Sequence, residues 1–352
     1  GALTVHKLPS TPDDPSRGVM DGCAQLMDRK PDFLASTKQV LHGTTLVINA
    51  VLERKGAKTA LITTEGFRDV LEIGTERRYD LYDLQQQYPE PLVPRYLRRG
   101  VTERLRSDGA TLVPLDKAEV DRIAADFASD GVEAVAVCLL HAYQNPVHEL
   151  AIRERLTKML PDASVSLSSE VLPEINEYAR TSTTVVNAYT KPLMERYLSS
   201  LEASLNKQGL RGRLLVMLSS GGVASVDTAA NFPVRVIESG PVGGAIMGQR
   251  IKEMAGIPVA FAFDMGGTTA KVCLLQGDEP ARASEYEVAR VHRFKVGSGI
   301  PLKVPCVDLL EIGAGGGSIA DISPLGLLQV GPESAGAVPG PACYGQGGDR
   351  PT

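Results

Sequence analysis

The chain has 352 residues, enough for two domains of ordinary size with a sizeable core. Its composition, 43% hydrophobic and 22% charged, is that of a globular protein, and a formal net charge of −5 without any Lys/Arg block gives no reason to expect nucleic acid. No apolar run reaches the ~18 residues of a membrane span and no signal-peptide pattern opens the sequence; Cys23, Cys138, Cys273, Cys306 and Cys343 form no C-x-x-C pair, so a reducing, cytoplasmic setting without a membrane partner is expected.

In chain order, Pro15 to Leu26 reads as a helix with Val19, Met20, Cys23 and Leu26 on one face. Gln39 to Gly56 starts as a strand, passes a His-Gly-Thr-Thr turn and becomes a helix stopped by Gly56. Thr59 to Phe67 is a buried strand, and Arg77 to Arg106 a basic, aromatic-interleaved stretch suited to a surface or subunit contact. A helix over Lys117 to Asp130, a buried strand over Glu133 to Tyr143, a helix over Val147 to Met159 and a strand over Val165 to Val171 follow. Asn176 to Asn206 is helical with a break near Pro192, and Arg213 to Gly222 is a strand entering a glycine turn. From Gly297 onward glycine and proline are dense, yet apolar strand-like pieces alternate with them, which predicts ordered loops around a site. Strands alternating with helices argue for an α/β fold with mixed sheets, divided near residue 185 into lobes 1–185 and 186–352.

The chemistry concentrates in FDMGGTTAKVCLL, Phe263 to Leu275. Two apolar arms supply strands, and between them Gly266 and Gly267 let the backbone approach a phosphate and take positive φ, a plain β-hairpin with a Gly-Gly turn being the alternative. Successive amides in such a turn form an anion-binding concavity, with the hydroxyls of Thr268 and Thr269 as further donors. Asp264 stands where it could hold Mg²⁺ through water. Lys271 follows at a spacing that could point inward, a solvated strand lysine being the alternative. Upstream, ESGPVGGAIMG (Glu238 to Gly248) is a small-residue helix start whose lack of bulk would let two helices cross closely. Glu238 is the second acidic candidate, for Mg²⁺-bound water or general-base work, against a carboxylate favoured simply by the helix dipole. The order acid, small-residue helix, strand, Asp-x-Gly-Gly-Thr resembles the second half of the nucleotide site in the actin, sugar-kinase and heat-shock ATPase superfamily, which implies a two-lobed fold of that kind.

A wider resemblance covers the chain nearly end to end. HGTTLVINAVLERKGAKTALITTEGFRDVLEIG, YPEPLVPR, GVEAVAVCLLHAYQNPVHE, SSEVLPEINEYARTSTTVVNAY, ESGPVGG, FDMGGTTAKV, EIGAGGGSIA and VGPESAGAVPGPACYG together resemble hydantoinase A, the ATP-hydrolysing subunit of the hydantoinase/5-oxoprolinase group. The resemblance implies ATP and Mg²⁺ as cofactors, a hydantoinase B-type partner in a hetero-oligomer, and activation of a cyclic amide by phosphorylating its carbonyl oxygen so that water can open the ring. The family's first Asp-x-Gly-Gly-Thr loop and a later glycine-rich motif do not occur in this sequence, and GALTVHKLPSTP and GQGGDRPT read as internal segments, so a fragment truncated at both ends is expected.

In that chemistry Gly266, Gly267, Thr268, Thr269 and Lys271 would grip β- or γ-phosphate, Asp264 would orient the metal, and Gly315, Gly316 and Gly317 would add a second backbone anion site. Gly313 to Ser318 does not complete G-x-G-x-x-G and no Walker motif is present, which disfavours dinucleotide and P-loop folds. His42 in the HGTT turn could contact substrate or phosphate, and His141 closes a buried strand where α/β sites face the cleft. A lone histidine in either place is more often a structural group. Cys343 is expected to be a buried, inert thiol. The carboxylating relatives of the family, which act on acetone or acetophenone, share the same clamp, so a ketone carboxylase subunit is the alternative; a non-catalytic scaffold is the alternative of another class.

Overall fold

The computed structural model describes residues 4–8, 11, 14–267, 269–292, 295–323, 325–336 and 339–352, with the side chain of Pro332 also outside the description. Its first half is organised by a parallel four-stranded sheet in the order Arg98–Val101, Thr59–Thr64, Ala134–Cys138, Ser164–Leu167. Every residue of Thr59–Thr64 and of Ala134–Cys138 is buried, which is why these strands read as continuous β-rich runs without alternation. Helices Lys117–Ser129 and Val147–Met159 close on the sheet through Val120, Ile123, Phe127, Ile152 and Leu156. The strand expected over Glu133 to Tyr143 stops at Cys138, and the one expected over Val165 to Val171 gives way at Ser168 to a short helix.

Polar side chains cause both early stops. The buried carboxylate of Glu149 accepts from the Leu139 and Ser169 amides and the Ser168 hydroxyl, capping the ends of both strands at once. Arg180 donates to the Leu139 carbonyl and the Ser168 hydroxyl beside it. Thr64, Glu103 and His148 form a second buried chain of hydrogen bonds there. The carboxyl edge of this sheet is therefore filled with hydrogen-bonded polar groups, although the Arg180 Nε and Ser169 Oγ have no partner among the described residues. His141 lies past it in a left-handed turn (φ 60°), near the Tyr143 hydroxyl.

Helix Glu177–Lys207 is the spine of the molecule. Val185 and Ala188 belong to the sheet core, whereas Val186, Tyr189, Met194, Leu198 and Leu201 belong to a second core shared with helix Leu46–Leu52 and strand Arg213–Met217. Packing on both sides holds it helical through Pro192, where sequence predicted a break; the lost backbone hydrogen bond is outweighed by burial. Residue 185 falls inside this helix. Strand Gln39–His42 pairs in parallel with Arg213–Met217, which pairs antiparallel with Val223–Ser225.

The last third carries helix Ser239–Met254 and the antiparallel hairpin Val259–Met265/Ala270–Gln276, extended by Leu310–Ile312. The glycine-bearing helix packs on this sheet, where a Cβ on Gly248 would stand 3.0 Å from the Ala262 Cβ and 3.1 Å from a Leu275 methyl, and its first turn meets the start of helix Leu46–Leu52, where a Cβ on Gly240 would lie 3.3 Å from the Thr45 methyl. Small residues here set helix-to-sheet distance. Among the described residues no helix is long and apolar enough to cross a membrane.

Candidate functional site

Antiparallel register puts Lys271 directly between Asp264 on one neighbouring strand and Glu311 on the other, so the three share a sheet face. That face also carries Ala262 and Cys273 toward helix Ser239–Met254. Lys271 is no solvated strand lysine. It is 7% exposed, and its ammonium is ion-paired with Glu238, itself 1% exposed at the N-cap of that helix. The other Glu238 oxygen accepts from the Tyr286 hydroxyl at 2.7 Å. Burial pushes the Glu238 carboxyl up, Lys271 and Tyr286 oppose that, and nearby Glu311 adds to it. Burial and the Glu238 charge likewise push the Tyr286 phenol far up, so it stays a hydrogen-bond donor.

The two glycine segments meet at the open end of this sheet. The Gly316 amide donates to the Gly266 carbonyl at 2.9 Å and the Gly317 amide to the Gly267 carbonyl at 2.7 Å. Gly266 donates to the Thr269 carbonyl at 2.9 Å, closing the turn. The Gly315 amide is held by the Ser318 hydroxyl at 2.8 Å. Several amides that sequence assigned to phosphate are thus spent on joining the loops. Neither Gly266 nor Gly267 takes positive φ, contrary to expectation. Close approach is what demands glycine, and it falls on the partner loop: a Cβ on Gly317 would lie 3.0 Å from the Gly267 carbonyl. A Cβ on Gly267, by contrast, would meet nothing within 4 Å, so the outer side of the turn is open. Thr268 lies outside the described residues.

Asp264 is exposed and takes no hydrogen bond or ion pair among the described residues. No group of three His, Cys, Asp or Glu suited to a metal occurs among them. A single open carboxylate beside an open turn fits an ion such as Mg²⁺, which keeps most of its water and takes one or two carboxylates plus phosphate oxygens.

The HGTT turn reaches the same region from the other side of the molecule. The Thr44 amide donates to the Ser239 hydroxyl at 3.0 Å and that hydroxyl donates to the Thr44 carbonyl at 2.9 Å, while a Cβ on Gly43 would lie 3.2 Å from the Ser239 carbonyl. His42 itself turns away. Its Nε2 is hydrogen-bonded with the Tyr197 hydroxyl at 2.9 Å, and burial lowers its pKa to about 4. Because the folded value is below the ordinary 6.5, the contribution is present above pH 6.5 and is lost as pH falls toward 4. Melting curves across that window should show a loss of up to about 3 kcal/mol, absent in His42→Asn. Cys343, expected to be buried, is exposed.

Sequence reasoning passed over Tyr286 and Glu311. Tyr286 sits in a strand with no motif. Glu311 had a signal: Glu311-Ile312-Gly313 repeats the acid, apolar, glycine order of Asp264-Met265-Gly266.

Fold and site together define a mixed α/β protein in which two acid-led glycine turns meet beside a buried ion pair. The model of the hydantoinase/oxoprolinase N-terminal region matches residues 1–160, and that of hydantoinase/oxoprolinase matches 180–352. The chain belongs to the hydantoinase/oxoprolinase family. It is 37% identical to the caprolactamase subunit alpha of Pseudomonas jessenii, covering 100% of this chain and 50% of that one. The crystal structure of the ATP-dependent caprolactamase from that organism matches with a TM-score of 0.81 at 36% identity, over 100% of this chain and 50% of that one. Nucleotide-free acetone carboxylase matches with a TM-score of 0.83 at 27% identity, over 97% of this chain and 49% of that one. The chain spans about half the length of these relatives.

Proposed function

We propose that the chain is the ATP-hydrolysing part of an ATP-dependent cyclic-amide hydrolase built on a two-lobed, actin-like plan. The reading is carried by one observation: the loops after Asp264 and Glu311 are joined by backbone hydrogen bonds, with Lys271 between the two acids. ATP would sit on the open side of Gly267, near Thr268 and Thr269, with Mg²⁺ water-bridged to Asp264. When bound, it supplies the phosphoryl group that makes the amide's carbonyl oxygen a leaving group. Overall, one ATP, one cyclic amide and two waters give the ring-opened amino acid, ADP and phosphate. Glu238 fixes Lys271 at the end of the helix and keeps its charge from being free; Tyr286 fixes Glu238. Positioned dipoles and charges of this kind need no reorganisation during transfer, which is where phosphoryl-transfer catalysis comes from. Gly315, Gly316 and Gly317 support the turn. His42 acts through its turn, which braces Ser239. A hydantoinase B-type subunit is the proposed partner, in the cytoplasm.

The likeness to acetone carboxylase supports a second reading, a ketone carboxylase subunit. Substrate-dependent ADP release by the assembled enzyme separates them: stimulation by lactams or hydantoins supports the hydrolase, stimulation by a ketone with bicarbonate the carboxylase. A nucleotide at ~100 times its dissociation constant should stabilise the chain by about 2.7 kcal/mol. A melting temperature indifferent to Mg-ATP would favour a scaffold instead.

A further inference from the structure

A cavity of about 470 Å³ lies between the 71–92 segment, the spine helix and the strand pair Tyr286–Val288/Ile300–Leu302. Its size is that of a small-ligand site. Alternation along the strand links it to the ionic cluster: Tyr286 points to Glu238, whereas its neighbours Glu285 and Glu287 line the cavity. Apolar lining comes from Val185 and Val186 of the spine helix and from Ile300 of the strand paired with Tyr286–Val288. Tyr79 and Tyr88, packed edge to face with centroids 5.4 Å apart, form the side. Val296 and Gly297 also line it; beside them Lys295 is ion-paired to Asp80, and the His292 ring lies 5.3 Å from Tyr79.

Among the lining side chains that make no hydrogen bond or ion pair with described residues are one hydroxyl donor and one carboxylate acceptor. The Tyr178 hydroxyl makes no hydrogen bond among the described residues, although the phenol is partly buried. Its pKa is raised first by burial and then by the charge of Glu287 and by Tyr88, which places it among them. The Glu285 carboxylate accepts no hydrogen bond among the described residues, its electrostatic neighbour being Lys303. Glu287, in contrast, is occupied by Arg290 and the Gly297 amide.

We propose that this cavity is the recognition site for the cyclic amide, with the ring between the aliphatic and tyrosine walls, its carbonyl accepting from Tyr178 and its N–H donating to Glu285. The proposal rests on the cyclic-amide reading above and adds the place where the amide is recognised. A cis-amide carries the carbonyl and N–H side by side, matching one donor and one acceptor. A ketone has no N–H to offer. Bicarbonate is an anion and would face the carboxylates of Glu76 and Glu285, unpaired among the described residues, Glu72 being ion-paired with Arg98 and Glu287 with Arg290; the lining cations are Arg77 and Arg78, the latter donating to the Asp83 carbonyl. The basic stretch read from sequence as a surface thus also walls a cavity.

The test is steady-state ADP release by the assembled enzyme with δ-valerolactam, hydantoin, or acetone plus bicarbonate. Tyr178→Phe keeps the ring and removes the hydroxyl; it should raise the lactam KM about 10-fold while the KM for Mg-ATP stays within about twofold. Thr75→Trp, at an exposed rim position, should fill the cavity and abolish lactam stimulation while basal ADP release persists. Lactam stimulation with an unchanged lactam KM in both variants would overturn this site and leave the cyclic-amide reading standing. If no cyclic amide stimulates the unmodified enzyme, that reading falls and the ligand assigned here falls with it.

Discussion

Replacing Lys271 with methionine should destabilise the fold by about 3–5 kcal/mol, because Glu238 would be left as a buried carboxylate without a counter-charge. The loss should depend on pH with a definite sign. Burial already raises the folded Glu238 pKa above the ordinary 4.5, and removing the ammonium raises it further. The carboxyl is protonated in both states at pH below 4.5, so the deficit is smallest there and grows as pH climbs through the folded value. The double variant Glu238→Gln/Lys271→Met restores a neutral pair of similar shape and should recover most of the stability in urea unfolding. ADP release should not recover with it, because the positive charge facing Asp264 and Glu311 is gone. A single variant costing less than about 1 kcal/mol, or a double variant that regains turnover, would remove Lys271 from the proposed site.

How much of this was legible beforehand depended on the range of the interaction. Periodicity and caps are local, so the helices over Lys117–Ser129 and Val147–Met159 and the hairpin around Gly266 could be read directly. The Glu238–Lys271 pair spans 33 residues and joins a helix cap to a strand; nothing in either segment names the other. Tyr286 is farther still, and its role exists only because a two-residue period turns it away from Glu285 and Glu287. The strand over Glu133 to Tyr143 was overdrawn because Leu139, Leu140 and Ala142 are buried yet not extended: burial there comes from the Glu149 and Arg180 braces, which a hydropathy pattern does not contain. Pro192 misled in the opposite direction. Its intrinsic cost is local, but the two cores that keep the helix intact are tertiary. Glycines pose the same problem: the sequence marks where backbone comes close, and only the fold tells whether it comes close to a sheet, as at Gly248, or to another loop, as at Gly317.

That last distinction yields a paired prediction. Gly317→Val should lower kcat/KM for ATP about 100-fold with little change in melting temperature. The added carbons would strike the Gly267 carbonyl, 3.0 Å from the Cβ position, and the Ser334 hydroxyl at 3.1 Å, prising apart loops that lie outside the main cores. Gly267→Ala is the complementary case. Its φ is not left-handed and its Cβ would meet no protein atom within 4 Å, so the folded chain tolerates it. If the space beyond Gly267 holds terminal phosphates, that one methyl must still raise the dissociation constant for Mg-ATP, measured by calorimetry, without touching stability. Gly317 would then act through loop geometry and Gly267 through direct contact. ATP binding at wild-type strength in Gly267→Ala would move the nucleotide away from this turn, and with it the role assigned to Asp264.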